Sequence, residues 1–148
     1  MSDQYTCIIS SDSKHVVSNN QVQQAVAIIE ATCLLTDDVS FNQFETLQFI
    51  DSGQNFSHVS CPYCNKEISE WWSEQMDELY ASRFSNLYVN VPCCNITTMI
   101  GQLHYSWPCG FAQYEIRIKN LGESISAELL MKLEHLLETT LLLVYQRV

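Results

Sequence analysis

The chain has 148 residues, 47% of them hydrophobic, and sets 7 Lys plus Arg against 17 Asp plus Glu for a formal net charge of −10. That length and apolar share suit one domain with a buried core and exclude disorder as the default state. The acidic balance argues against nucleic acid or an anionic membrane as the main partner, because both need clustered Lys and Arg. It leaves a basic protein partner, or solubility alone, as its meaning.

Met1-Ser2-Asp3-Gln4 lacks the basic region of a leader peptide, and the apolar run Cys7-Ile8-Ile9 is far too short for one. The richest apolar run, Leu141 to Tyr145, closes a segment studded with Glu and Lys, so no membrane span is expected. The expected location is the cytoplasm. An odd number of cysteines, 7, then points to metal ligands and reduced core thiols rather than a disulfide framework.

In chain order, Tyr5 to Ser10 is dense in β-formers and predicts a first strand. Ser18, Asn19 or Asn20 can cap a helix over Gln21 to Leu35, where Val22, Ala25, Val26, Ile29 and Cys33 recur at helical spacing. Asp37-Asp38 breaks it. A strand is predicted over Phe41 to Asp51, followed by a turn at Ser52 to Asn55. Lys66 to Phe84 predicts the clearest internal helix, with Ile68, Trp72, Met76, Leu79 and Phe84 on one apolar stripe, flanked by Trp71 and Tyr80. Glu67, Glu70, Glu74, Asp77 and Glu78 recur at three- and four-residue steps and are expected to share a face. That face reads either as solvated surface or as a docking site for a basic partner. Leu87 to Val91 is a predicted strand and Ile96 to Ile100 a short turn. Leu103 to Trp107 and Ala112 to Ile118 are expected as two strands joined through Pro108-Cys109-Gly110. A final helix capped by Ser124 or Ser126 is expected to run through Leu129, Leu133, Leu137 and Leu141 to Val144.

The chemistry concentrates at Cys61-Pro62-Tyr63-Cys64-Asn65 and Pro92-Cys93-Cys94-Asn95. Cys-x-x-Cys lets one tight turn offer two thiolates to a metal, and structural zinc takes four such ligands tetrahedrally. Proline stiffens the turn, and the residue after the second Cys tends to need φ > 0, which Asn tolerates after Gly. Aligning the halves sets Cys94 against Cys64 but Val91 against Cys61, so the second half is incomplete. Cys61, Cys64 and Cys94 are the core ligands and Cys93 the first choice as fourth, with His58, His104 and Cys109 as substitutes. Reduced thiols without metal, or a thioredoxin-like redox pair at Cys61 and Cys64, are the competing readings. No phosphate-binding glycine loop, Gly-x-Ser-x-Gly or His-Glu-x-x-His occurs, so other catalysis finds no support.

At Cys61-Pro62-Tyr63-Cys64, Glu70-Trp71-Trp72, Pro92-Cys93-Cys94 and Tyr105 to Ala112 the chain resembles a group of small bacterial proteins. These combine Cys-Pro-x-Cys-Gly, a Trp-rich helix, Cys-Cys-Gly and a Tyr-x-Trp-Pro-x-Gly-Phe-Ala segment. This chain departs at Asn65 and Asn95, where the group has Gly, and at Cys109, where it has a small Ala. The transporter-ATPase label that some of them carry is contradicted here by the missing phosphate-binding loop. The resemblance implies a zinc-ribbon-like element and no activity. By analogy of size and charge alone, small acidic proteins of this build are similar to immunity proteins of bacterial toxin systems.

The resulting expectation is one α+β domain over 1–148: a mainly antiparallel sheet, three helices, and a zinc-ribbon-like knuckle pair within 58–110 holding one structural Zn2+. The expected role is a non-enzymatic acidic binding protein, in its specific form an immunity protein that neutralises a basic toxin. A thiol oxidoreductase and a zinc-ribbon adaptor are the alternatives.

Overall fold

The computed structural model describes residues 3–148, so Met1 and Ser2 of the opening stretch lie outside the described residues. Along the chain run β1 (Gln4–Ser10), α1 (Asn19–Thr32), β2 (Asp38–Ile50), β3 (Val59–Ser60), α2 (Ser69–Ala81), β4 (Tyr88–Val91) and β5 (Ile96–Met99). After a 3-10 turn at Ile100–Gln102 come β6 (His104–Tyr105), β7 (Gly110–Lys119), α3 (Ala127–Leu137) and β8 (Leu141–Arg147). The expected α+β class is what the chain adopts.

Four strands pair antiparallel in the order β2-β7-β1-β8. With α1 between β1 and β2 and α3 between β7 and β8, this is the split βαβ, ferredoxin-like arrangement. Residues 51–109 are an insertion between its two halves. Alternation along the strands sorts the side chains. Ile8, Ile116 and Ile118 meet Ala25 and Ile29 of α1 and Leu133 and Leu137 of α3, forming the larger core. Helix α1 starts where Ser18 caps it: its hydroxyl accepts from Gln21 N, and Gln21 reaches back to Ser18 N.

Cys7, Ile9 and Val144 point to the other face, where they pack with Ile50 and Ala112. That contact requires the far ends of β2 and β7 to curl back across the sheet. A bulge supplies the bend, since pairing jumps from Gln43↔Tyr114 to Gln48↔Ala112. Gly110 marks the closest approach: a Cβ there would sit 2.8 Å from Ile9 Cδ1. The chain then reaches β8, with Gly53 bridged to Arg147 and Gln54 N donating to the Arg147 carbonyl at 2.7 Å. Under the curl, buried Glu115 accepts from Asn42 Nδ2 at 3.1 Å and pairs with Arg117 at 3.4 Å, while the Arg117 guanidinium lies 4.0 Å over the Tyr5 ring.

The insertion builds a second core from Val59, Cys61, Ile68, Phe84, Val89, Val91, Ile100 and Leu103, to which Phe49 of β2 and Phe111 of β7 also belong. Trp72 is its hub. The indole stacks on Phe56 at 5.0 Å and donates through Nε1 to the Tyr105 hydroxyl at 3.1 Å, which itself donates to the Ile100 carbonyl at 2.6 Å.

Several local expectations are corrected. Helix α2 spans Ser69–Ala81 rather than Lys66 to Phe84, because Arg83 and Phe84 take positive φ of 58° and 56° and the Cys hairpin occupies the chain up to Ile68. Helix α1 ends at Thr32, short of Leu35, and β2 begins at Asp38. Ile96 to Met99 is a strand, not a turn: its β-branched residues pair with β4 from Val91↔Ile96 to Tyr88↔Met99. The segment around His104 does not form a hairpin with β7; β6 pairs with β3 instead. The last helix stops at Leu137, where Glu138 adopts a left-handed C-cap (φ 56°), and Leu141–Arg147 becomes the edge strand β8. The run that looked helical puts Leu143 toward the helices and Leu142 and Val144 toward the opposite core.

Gly53, at φ 60°, has no room for a side chain, since a Cβ would collide with the Arg147 carbonyl. Gly53→Ala is therefore expected to cost about 2 kcal/mol, from left-handed strain plus the lost bridge to β8. Urea unfolding of the metal-loaded protein checks this, and an unchanged midpoint would remove the bridge from the account.

Candidate metal centre

Two tight turns build the site. In the first, Cys61 N donates to the Lys66 carbonyl at 2.9 Å and Asn65 N to the Cys61 carbonyl at 2.9 Å. In the second, Asn95 N donates to the Val91 carbonyl at 2.7 Å, closing the same kind of loop on β4 and β5. Asn65 (φ 63°) and Asn95 (φ 54°) occupy the left-handed positions, as their place after Cys64 and Cys94 required. The side chain of Asn95 is also used, accepting from Asn90 Nδ2 at 2.8 Å.

The turns face each other and bring Cys61, Cys64, Cys93 and Cys94 together, with all four Sγ atoms within 4.8 Å of one another. Across the gap, Cys64 Sγ lies 3.4 Å from Cys93 Sγ and Cys61 Sγ 3.9 Å from Cys94 Sγ. Four thiolates held at about 2.3 Å around a tetrahedral ion have sulfurs about 3.8 Å apart. The cluster fits such an ion. The missing ligand of the second turn is thus supplied by Cys93, one place before Cys94, while Val91, in the place that matches Cys61, is fully buried in the apolar core. Exposure is graded: Cys61 is buried, Cys93 and Cys94 partly so, and Cys64 open to solvent.

The three substitutes stand elsewhere. His58 is exposed, with Nδ1 3.0 Å from Ser57 Oγ, and exposed His104 belongs to β6. Cys109 is buried at the start of β7, its thiol pushed up to about 12 by burial and then by Asp51. Cys7 and Cys33 are core thiols.

Proton sharing within the cluster shows what a cation would change. Burial pushes the Cys61 thiol up, but the Tyr63 and Cys64 N–H groups and the adjacent thiols more than reverse this and bring it down to about 7. Tyr63 N lies 3.4 Å from Cys61 Sγ. Cys94 is pushed up to about 12, first by its bond to Cys64 and then by burial, and Cys93 is raised by burial and by the Cys64 thiol. One thiolate forms readily and holds protons on its neighbours. Only a central positive charge lets four ionise together.

The cluster is coupled directly to α2. Ile68 N donates to the Val59 carbonyl at 2.9 Å, and Val59 N donates to the hydroxyl of Ser69, the first helical residue, at 3.0 Å. No helical residue of α2 is fully buried, so this tie and the Trp72 contacts set its position. Glu70, Glu74, Asp77 and Glu78 are exposed on it, within an arc of about 100° at 100° per residue. Glu67 precedes the helix and accepts from Ser69 Oγ at 3.2 Å, so it flanks that arc from the Cys hairpin instead of sharing it. A thioredoxin-like pair normally sets its first Cys at a helix N-terminus, where the dipole lowers its pKa. Here the helix begins eight positions after Cys61, at Ser69.

Compared with protein-family models, curated proteins and solved structures, the chain matches none. Among the described residues, no helix is long and apolar enough to cross a membrane.

Cys64→Ser removes an exposed ligand without opening a core cavity. It is expected to abolish tight metal binding and to lower the melting temperature as far as a chelator lowers that of the unmodified protein. A variant that melts like the untreated protein would refute the site. Asn65→Gly should keep or raise stability by up to about 1 kcal/mol, whereas Asn65→Val should cost about 1–2 kcal/mol, because a β-branched residue resists positive φ. Calorimetry on the two variants, metal-loaded, checks the sign.

Proposed function

We propose that this chain is a non-enzymatic binding protein in which a four-cysteine zinc clamp fixes α2 and presents its acidic side to a basic protein partner. Zinc suits four soft thiolates at tetrahedral spacing with no position left for substrate, the mark of a structural rather than a catalytic centre. One observation carries the binding reading. Glu70, Glu74, Asp77 and Glu78 share one exposed arc, and none of them pairs with a Lys or Arg among the described residues. Such a face attracts a basic surface over distances near a Debye length and speeds the encounter. An immunity protein that caps a basic toxin is the specific form of this reading, supported by size and by the net charge of −10.

Elemental analysis of protein purified without added metal is expected to give about one zinc per chain. The partner is sought among the products of adjacent genes. Glu70→Lys, Glu74→Lys and Asp77→Lys together should slow its association at low salt by on the order of tenfold or more. Binding that is indifferent to all three reversals would move the interface off α2, and the absence of any basic partner encoded nearby would end the immunity reading.

A further inference from the structure

Beside the acidic arc, α2 and the end of β2 enclose a groove of about 290 Å³. Phe49, Met76, Tyr80 and Phe84 line it together with the carboxylates of Asp77 and Asp51. Tyr80 is 72% exposed although it is a large aromatic residue, and it meets Phe84 edge-on at 6.2 Å. The two carboxylates come from different elements, α2 and the segment after β2. Asp51 accepts from Gly53 N at 2.7 Å, and neither aspartate pairs with a Lys or Arg among the described residues. The space lies just below the range of about 300–1,000 Å³ usual for small-molecule sites, which suits a single inserted side chain.

We propose that this groove receives one arginine side chain of the partner, its guanidinium stacked on Tyr80 and held between Asp77 and Asp51. A guanidinium answers both features at once: a flat cation favours aromatic faces, and its fork of N–H donors suits carboxylates. Lysine would satisfy the charge but not the planar wall. Arginine anchors set among aromatic residues are also where binding energy concentrates in protein interfaces. A second groove that shares Tyr80 and Phe84 is lined by Arg83, whose charge disfavours a cation there and favours the groove that holds Asp51 and Asp77. The inference rests on the reading of this side as partner-facing, and it adds the anchor that gives a diffuse negative surface its register.

The test needs no partner. N-acetyl-arginine amide is titrated into the metal-loaded protein and followed by two-dimensional NMR, with N-acetyl-citrulline amide as the neutral isostere. Saturable shifts at Asp77, Tyr80 and Phe84, with a Kd on the order of 1–10 mM, are expected for arginine alone. Asp77→Asn and Tyr80→Leu, both exposed, should each weaken binding about three- to tenfold, and Glu70→Gln less than about twofold. Equal shifts from citrulline, shifts spread evenly along Glu70 and Glu74, or no saturation would overturn the groove. Those results would leave the charge-reversal experiment free to succeed. A saturable arginine site combined with a partner indifferent to Glu70→Lys and Glu74→Lys but weakened by Asp77→Lys would instead sink the reading of the acidic arc as the interface and leave the groove standing.

Discussion

The structure depends on four thiols brought closer together than four thiolates can stand without a cation. Their Sγ atoms lie within 4.8 Å, contributed by two turns that enter from different strands. Without a metal, each added charge is opposed by its neighbours; with one, the same proximity becomes cohesion. That change matters beyond the site, because the Cys hairpin, β3 and the first turn of α2 are linked by consecutive hydrogen bonds. A helix with no fully buried residue is thereby held through its N-terminal end and through Trp72.

Besides the small cluster around Cys7, Ile9 and Val144, two larger cores share the chain. The helix-covered face of the main sheet uses the aliphatic alternation of β1 and β7, whereas the insertion relies on aromatic contacts around Trp72. Phe49 and Phe111 are cross-strand partners with ring centroids 5.1 Å apart, and through them the β2–β7 pair contributes to the insertion's core. The β2 bulge makes this possible by bending the pair so that its end serves the insertion while its start completes the sheet. Glu115 is buried beside this bend, paired with Arg117 and hydrogen-bonded by Asn42.

What could be read from the sequence was local chemistry. Asn65 and Asn95 announce left-handed turns because few residues tolerate them, and Ser18 with Gln21 announces a capped helix because the two satisfy each other's backbone groups. Aligning the two turns singled out Cys61, Cys64 and Cys94 and left Cys93 as first choice beside His58, His104 and Cys109; only the folded geometry brings Cys93 to the other three. What could not be read was set by distant partners. Leu141 to Val144 fits both helical and strand periodicity, and only pairing with β1 along Ser10↔Leu141 to Gln4↔Arg147 decides between them. Likewise, β6 is too short to reveal its partner, and its choice of β3 follows from where the Cys hairpin sits. The start of α2 was misplaced because Lys66 and Glu67 suit a helix in composition, while the turn closed by Cys61 and Lys66 consumes their backbone.

Ile50 and Gly110 are paired across β2 and β7, so the segment 51–109 leaves and re-enters the sheet at adjacent points, about 5 Å apart. It stands where a β-hairpin would carry a turn of two residues. Lengthening that turn to this extent is about five doublings, which raises the entropy of closing the loop by roughly 3 kcal/mol. An ion that ties residue 61 to residue 94 divides the long loop into shorter ones, and so returns part of that penalty to the sheet. The chain is organised as a hairpin whose tip has grown into a module of its own, and an ion held by the four cysteines would keep the enlarged tip compatible with the register of the strands beneath it.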